Sequence, residues 1–361
     1  MKATEALHRA GQSIWLDSIS RPLLDGGGLA RWIAELSVTG LTSNPTIFDL
    51  ALAGSDAYDA GIREHSARGL AGEALFLTLA LEDLGRAADL FRPIHDRTDR
   101  VDGWVSLEVS PKIAYDTAAS IAAAKELFAR GSRPNLLIKI PGTREGVPAI
   151  EEAIFAGVPV NVTLLFSREQ YLAAARAYLR GIERRIDAGL DPRVGSVASV
   201  FVSRWDTAVA GKVPPALHNR LGLAVATQTY AAYRDLLDSD RMQRLASLGA
   251  RPQRLLWGST GTKDPKASEL LYVRGLAAPN TVNTMPEKTL LALAKAEGVG
   301  PLLPRDGGDA DDVLDEFTRA GVDLAALAEK LQRDGAAAFV RSWDQLLARL
   351  AEKTAAVRRS A

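Results

Sequence analysis

Lys139 stands inside a short apolar segment, 135–141, which ends in a proline and is followed by a glycine. Such a segment is typical of a strand in a parallel sheet that is buried on both faces. A lysine is almost never fully buried unless it is paired or used. Burial favours the free amine, which is a nucleophile toward carbonyl carbon. The segment therefore predicts Schiff-base chemistry at Lys139. The alternative is a strand-end lysine whose ammonium group reaches water.

Polar side chains also stand at or near the ends of the other apolar segments. They are Asp17, Thr42, Ser43, Asn44, Glu108, Asn161, Thr163, Ser199, Ser203, Arg204, Ser259, Thr260, Lys263 and Asn283. Strand residues alternate between faces, so Ser106 and Glu108 share one face while Leu107 and Val109 take the other. Unpaired polar groups are costly to bury, so this pattern on five strands predicts a binding or catalytic site rather than core packing.

Eight short apolar or β-rich segments carry these side chains. They are Ser13–Asp17, Val38–Thr42, Trp104–Val109, Leu136–Ile140, Val160–Leu165, Val197–Val202, Leu255–Gly258 and Thr281–Asn283. Helical patterns separate them, for example over 71–91, over 114–129, and over 169–179, where Ser167 opens a capping box. Strand–helix alternation predicts an α/β fold with a parallel sheet, and eight such units predict a (β/α)8 TIM barrel. Active sites in such barrels form at the carboxyl ends of the strands.

The whole chain, 1–361, is predicted as one barrel domain with helical insertions in the long connections 48–103 and 206–253. Residues 286–361 are predicted as a helical C-terminal extension, because they hold no segment that is typical of a strand. In this extension we predict a loop at 300–312, a helix near 313–334, a break at Gly335 and a helix near 339–357.

The amino-acid composition reduces the range of possible functions. Basic and acidic residues balance at 44 each, which gives no reason to expect a nucleic-acid or membrane partner. The chain has no cysteine, which excludes disulfides and a thiol nucleophile, and its four scattered histidines do not support a metal site. With no signal sequence and no apolar run of membrane-spanning length, we expect a cytoplasmic protein.

Five strings together resemble the transaldolase family. They are GLTSNPTIF at 40–48, SLEVS at 106–110, LIKIP at 137–141, NVTLLFS at 161–167 and FVSR at 201–204. The order and spacing of the resemblance extend from about Gly11 to Met285, and the set is far more specific than any one string. The strings at 256–263 and 280–286 are typical of the longer, bacterial-type subgroup of this class I Schiff-base aldolase superfamily.

The resemblance implies a transferase of the pentose phosphate pathway. Transaldolases move a dihydroxyacetone unit between sugar phosphates, so that sedoheptulose 7-phosphate and glyceraldehyde 3-phosphate interconvert with erythrose 4-phosphate and fructose 6-phosphate. These sugar phosphates are the implied partners, and no metal or organic cofactor is implied. The sequence gives no oligomeric state.

The resemblance also implies roles for individual residues. Lys139 would attack the ketose carbonyl at C2, and Asp17 would exchange a proton with the C4 hydroxyl. Glu108 and Thr163 would hold a water that moves protons while the imine forms and breaks.

The remaining matched residues would bind the substrate. Asn44 and Asn161 would contact the substrate hydroxyls and the carbinolamine, and Ser199 the C1 hydroxyl. Arg204 would bind a phosphate group with Ser259, unless it forms a salt bridge with Asp206 instead. Lys263 is expected to replace a second arginine that shorter transaldolases have near this point.

Two other functions remain open. A fructose 6-phosphate aldolase would release free dihydroxyacetone; such relatives resemble a shorter barrel with tyrosine in place of Phe201 and glutamine in place of Glu108. A barrel that binds sugar phosphates without catalysis is the other alternative. The presence of Lys139, Glu108 and Asp17 together argues against it.

Overall fold

Eight parallel strands form a closed barrel in the order of the sequence, and the last strand pairs with the first. The computed structural model describes residues 2–359. The strands are β1 Gln12–Asp17, β2 Val38–Thr42, β3 Val105–Glu108, β4 Leu136–Pro141, β5 Val160–Leu165, β6 Ser196–Phe201, β7 Arg254–Gly258 and β8 Thr281–Met285. The predicted (β/α)8 barrel is confirmed, and each predicted strand end lies within two residues of the observed one.

Helices surround the barrel and fill its long connections. They are α1 Ala3–Arg9, α2 Arg21–Asp25, α3 Gly28–Glu35, α4 Pro45–Ala53, α5 Asp59–Ala67, α6 Gly72–Arg97, α7 Thr117–Gly131, α8 Gly146–Phe155, α9 Arg168–Asp187, α10 Ser203–Val209, α11 Leu221–Asp238, α12 Asp240–Ser247, α13 Leu271–Gly275, α14 Glu287–Lys295, α15 Ala310–Arg319 and α16 Leu324–Arg359. Single-turn 3-10 helices occupy Pro111–Ile113 and Pro215–Leu217. Within residues 2–359, no helix combines the length and the apolar character that crossing a membrane requires.

One layer of the barrel interior, below the polar strand ends, is apolar. Its buried side chains form one cluster, which consists of Trp15, Trp104, Leu137, Val197, Leu256 and Val282. Gly40 makes room for the largest of them, since a Cβ at this position would lie 2.5 Å from Trp15 Nε1. A second, larger core fills the space between the outer faces of the strands and the helices.

Polar side chains begin the helices that follow two of the strands. After β2, Asn44 Oδ1 accepts a hydrogen bond from Ile47 N at 3.1 Å and caps α4. After β5, Ser167 Oγ accepts from Gln170 N at 3.2 Å and caps α9, as the capping-box pattern predicted. Both caps fix the chain at the carboxyl end of a barrel strand.

The C-terminal extension breaks at a different place from the predicted one. The helix predicted near 313–334 is divided after Arg319, where Gly321 adopts a φ of 88° and Asp323 accepts a hydrogen bond from Ala326 N at 3.0 Å. The predicted break at Gly335 was wrong, because α16 continues through it. A Cβ on Gly335 would lie 2.9 Å from Leu164 Cδ2, so close packing explains the glycine.

Helix α16 lies across the carboxyl end of the barrel. Near its start, Gln332 Nε2 donates to the backbone oxygens of Gly142 and Leu164, at 2.9 and 3.0 Å, just beyond β4 and inside β5. Near its end, Arg349 pairs with Asp49 of α4 at 2.6 Å. Two distant parts of the barrel therefore hold this helix. The single-domain organisation stays a prediction, and its ends, Met1, Ser360 and Ala361, lie outside the described residues.

Candidate active site

A cavity of about 150 Å³ opens at the carboxyl ends of the strands. It is lined by Asp17, Thr42, Asn44, Lys139, Thr163, Ser199, Phe201, Arg204, Leu256, Gly258, Ser259, Gly261, Lys263, Thr284, Pro286 and Phe339. Nine of the eleven predicted site residues are among these. The other two, Glu108 and Asn161, are hydrogen-bonded to residues that line the cavity.

Lys139 is buried, as its apolar segment predicted. The residue is only 5% exposed, and its Nζ donates to Glu108 Oε2 at 3.2 Å and to the backbone oxygen of Ser43 at 3.1 Å. The first contact follows from strand register, because Glu108 on β3 pairs directly with Lys139 on β4. The alternative of an ammonium group in water is therefore wrong.

Glu108 has an unusual environment for a carboxylate. Burial raises its pKa, and the nearby charge of Lys139 opposes this shift. Its Oε1 is buried and has no hydrogen-bond partner within residues 2–359, and the same is true of Thr163 Oγ1 on β5. Strands β3 and β5 flank Lys139 on the two sides of β4. Two polar oxygens near the amine are therefore free to bind a water or a substrate group.

Asp17 ends β1 and is held by a short chain of hydroxyl groups. Thr42 Oγ1 donates to Asp17 Oδ1 at 2.7 Å, and Thr284 Oγ1 lies 2.6 Å from Thr42 Oγ1. A threonine hydroxyl has one proton, so when Asp17 is ionised Thr42 donates to it and accepts from Thr284. Burial raises the pKa of Asp17, against the opposing effects of the Thr42 hydrogen bond and the charges of Lys139 and Lys263.

Thr284 was missed because β8 was predicted to end at Asn283. The strand continues to Met285, and alternation puts Thr284 on the inner face and Asn283 on the outer one. Polar residues stand at both odd and even positions of this strand, as Thr281 and Thr284 show. The sequence alone therefore did not indicate which face of the strand points into the barrel. Extending the strand by one residue would have identified Thr284.

Asn161 lies beneath the cavity, fully buried on β5. Its Nδ2 donates to Ser106 Oγ at 3.1 Å, and its Oδ1 accepts from Ser199 Oγ at 2.7 Å. Asn161 therefore fixes the side chain of Ser199, which lines the cavity. Asn44, on the opposite side, uses its Oδ1 to cap α4, and its NH2 group makes no hydrogen bond within the described chain.

Arg204 is half-buried and lies close to two aromatic rings. Its Cζ lies 5.1 Å from the ring centre of Phe201 and 5.8 Å from that of Phe339. Burial lowers the pKa of Arg204, and the charge of Glu108 opposes this shift. Among residues 2–359 the guanidinium group has no hydrogen-bonded or ionic partner, which makes it available to an anion.

The alternative salt bridge between Arg204 and Asp206 is absent from the described residues. Asp206 instead accepts from Tyr272 Oη at 2.8 Å and from the backbone nitrogens of Leu221 and Gly222 at 3.0 and 3.1 Å. Its carboxylate thus caps the start of α11. The alternative was wrong because Asp206, two residues farther along α10, points to a different neighbour.

Ser259 and Lys263 complete the side of the cavity after β7. Ser259 adopts a φ of 53°, which is uncommon outside glycine, and its Oγ lies 2.9 Å from Ser203 Oγ. Lys263 is exposed and lines the same cavity. Together with Arg204 these residues form a polar and positively charged wall.

Phe339 was not predicted as a site residue. It comes from α16, and its ring centre lies 5.9 Å from Lys139 Nζ. Its sequence context is that of an ordinary apolar residue in a helix, so only the tertiary contact identifies it. Within residues 2–359, no group of three or more His, Cys, Asp or Glu side chains lies close enough together to hold a metal ion. The absence of a cofactor stays a prediction.

Comparison with known proteins gives consistent matches. The family model described as transaldolase/fructose-6-phosphate aldolase matches residues 14–350. A protein named transaldolase from Thermobifida fusca is 46% identical over 361 residues, which is 98% of each chain. Proteins of the same name from Saccharopolyspora erythraea and Mycolicibacterium smegmatis are each 44% identical, over 97% and 95% of both chains respectively.

Proposed function

We propose that this chain, which belongs to the transaldolase/fructose-6-phosphate aldolase family, is a transferase. It moves a dihydroxyacetone unit between sugar phosphates. The donors are sedoheptulose 7-phosphate and fructose 6-phosphate, and the acceptors are glyceraldehyde 3-phosphate and erythrose 4-phosphate. The observation that carries the proposal is the buried amine of Lys139, 3.2 Å from Glu108 and beside a cavity that an unpaired arginine lines.

The reaction begins at Lys139. Its free amine attacks C2 of the ketose and forms a carbinolamine, which loses water to give an iminium ion. Glu108 Oε1 and Thr163 Oγ1 are unpaired and buried, which suits them to hold the water that carries these protons. Glu108 also accepts a proton from the ammonium form of Lys139, to which it is hydrogen-bonded.

Cleavage follows at the bond between C3 and C4. The electron pair of this bond moves toward the iminium nitrogen and gives an enamine, while Asp17 takes the proton of the C4 hydroxyl. The C4 oxygen becomes the carbonyl oxygen of the departing aldehyde. In the second half, the enamine attacks a new aldehyde, and Asp17 returns its proton to the oxygen that forms the new C4 hydroxyl.

The polar wall binds the phosphate end of the sugar. The guanidinium group of Arg204 offers a planar pair of donors, with the hydroxyl of Ser259 and the point charge of Lys263 nearby. Ser199 and the NH2 group of Asn44 bind substrate hydroxyls, and Asn161 contacts the carbinolamine while it orients Ser199. All of these assignments are part of the proposal.

Transfer is favoured over release of free dihydroxyacetone. Phe201 has no hydroxyl to deliver a proton or a water to the intermediate, unlike the tyrosine of the aldolase relatives that the sequence resembles less. Glu108 stands where those relatives have glutamine, and a carboxylate can exchange protons that an amide cannot. The pentose phosphate pathway and the cytoplasm as its location are also part of this proposal.

Borohydride trapping tests the proposal directly. The protein is incubated with fructose 6-phosphate, reduced with borohydride, digested and mapped by mass spectrometry. A reduced dihydroxyacetone adduct on the peptide that contains Lys139 is the expected result. A folded protein with no adduct would favour the binding barrel without catalysis, and an adduct on another lysine would contradict the role of Lys139.

A further inference from the structure

One face of α16 lies against the carboxyl end of the barrel and contributes Phe339 to the cavity lining. Gln332, Gly335 and Phe339 are spaced by three and four residues, so their side chains lie on the same face of the helix. All three face the barrel: Gln332 bonds two backbone oxygens of the strand ends, Gly335 packs on Leu164, and Phe339 lines the cavity.

Gly335 lets α16 approach the barrel closely next to Arg204. A Cβ on Gly335 would lie only 3.0 Å from Arg204 Nη1, so a larger residue would displace either the helix or the guanidinium group. One turn later, Phe339 covers the same guanidinium group at 5.8 Å and Lys139 Nζ at 5.9 Å. The ring is buried, with 6% of its surface exposed. Phe339 therefore contacts both the reacting amine and the anion-binding arginine.

We propose that Phe339 is a positioning and specificity-determining residue that orients Arg204 for a phosphate and limits water at the Lys139 intermediate. The inference rests on the proposed function and deepens it. An aromatic face stabilises a cation that lies over it and supplies no proton. A buried ring also excludes water from the electrostatic interactions beneath it.

The enamine on Lys139 has two fates, and water decides between them. It attacks an acceptor aldehyde at the carbonyl carbon, which forms a carbon–carbon bond and needs one proton on the new hydroxyl oxygen. Alternatively C3 takes a proton, the enamine becomes an iminium ion, and one water hydrolyses it to free dihydroxyacetone and the amine. Removing Phe339 opens the second route, because more water reaches the intermediate.

The test compares Phe339→Ala and Phe339→Leu with a matched control, Phe76→Ala. Phe76 is also a buried phenylalanine beneath α16, where its ring centre lies 5.2 Å from that of Trp343, and it does not line the cavity. Two quantities are measured for each folded variant. One is the ratio of dihydroxyacetone released to dihydroxyacetone transferred; the other is KM for erythrose 4-phosphate against KM for unphosphorylated erythrose.

In Phe339→Ala, we expect the release-to-transfer ratio to rise by at least about threefold. We also expect KM for erythrose 4-phosphate to rise by about three- to tenfold, with KM for erythrose unchanged. Phe339→Leu covers the amine but has no aromatic face, so it raises KM for the phosphorylated acceptor with a smaller change in the ratio. We expect Phe76→Ala to leave both the release-to-transfer ratio and the KM values unchanged.

Borohydride trapping on the wild-type protein distinguishes failure of the proposed function from failure of the role of Phe339. If wild type gives no adduct at Lys139, the proposed function fails and this inference fails with it. If wild type gives the adduct but both quantities are unchanged in Phe339→Ala, only the inference is overturned. Equal changes in Phe76→Ala would also overturn it, because they would make general loosening of α16 the cause. If Phe339→Ala does not fold, the shift in KM of Phe339→Leu decides.

Discussion

The lower and upper layers of the barrel interior are built on the same faces of the same strands. On β4, Leu137 belongs to the apolar lower layer and Lys139, two residues later, to the cavity. The same change occurs from Val197 to Ser199 on β6 and from Val282 to Thr284 on β8. Burying the polar upper layer costs free energy, which the apolar layer beneath it helps to offset. Along the barrel axis, the lower layer thus contributes mainly to stability, and the upper layer carries the side chains of the proposed reaction.

The largest expected effect comes from Lys139→Ala. Without the amine no imine forms, so we expect transfer to fall by about 10⁴-fold or more while the fold is retained. Lys139→Arg is expected to be equally inactive, because a guanidinium group stays protonated. Steady-state transfer assays, with circular dichroism as the check on folding, measure both. Full turnover in either variant would contradict the Schiff-base mechanism.

Leu137→Ala is the matched change in the layer below. It creates a cavity in the apolar cluster, so we expect the free energy of unfolding to fall by about 2–5 kcal/mol. We expect the folded variant to keep its kcat. Denaturant titration and the transfer assay test these two points, and a large loss of kcat would mean that the two layers are not separable.

Thr42→Val should change the pH dependence of the upper layer. Asp17 must be ionised to take the C4 proton, and burial already raises its pKa. The lost hydrogen bond stabilised the charged form, so its removal raises the pKa further and moves the acid limb of kcat/KM to higher pH. A hydrogen bond to a charged group predicts a shift of about one to two pH units.

Thr39→Val is the control for this pH profile. Thr39 is a buried threonine on the same strand, and its hydroxyl bonds the backbone oxygen of Ile14 rather than Asp17. Its acid limb should match that of wild type. Thr42→Ser, which keeps a hydroxyl, should show only a small part of the shift seen in Thr42→Val. An unmoved limb in Thr42→Val would exclude Asp17 as the group that titrates there.

Phe201→Tyr should have a smaller effect. The added hydroxyl supplies one hydrogen bond near the intermediate, so we expect the release of free dihydroxyacetone from fructose 6-phosphate to rise by about three- to tenfold. A dihydroxyacetone assay without acceptor measures it. No change would mean that this position does not control the fate of the intermediate.

A chelator should have the smallest effect. If the polar upper layer carries acid–base and imine chemistry alone, dialysis against EDTA leaves kcat and KM unchanged. A loss of activity that added metal restores would assign some of these side chains to a metal ion instead.

The strands and most of the site were predictable from the sequence for two physical reasons. Barrel sites form at the carboxyl ends of the strands, which placed Asp17 and Lys139 at one end of the barrel, and alternation along a strand assigned Glu108 to the interior. Strand register alone then brings Glu108 to Lys139. The resemblance to a family added roles that the residue types do not give.

What could not be predicted depends on contacts between parts of the chain far apart in sequence. Gly335 looks like a helix break, but its missing side chain serves the approach of α16 to Leu164 and Arg204. Phe339 looks like any apolar helix residue until that approach places it over Lys139. Asp206 was a plausible partner of Arg204 by proximity, and only the fold shows that it caps another helix.

The pairing of β8 with β1 sets the order of events during synthesis. Strand β1 leaves the ribosome well before its partner at 281–285 is translated. Roughly 270 residues separate the two, so at typical elongation rates one edge of β1 waits about 15 to 50 s for its neighbour. An unpaired strand edge invites association with other chains. Until β8 is available, the unpaired edge of β1 is exposed, and we expect chaperone binding to the nascent chain to matter most in this period.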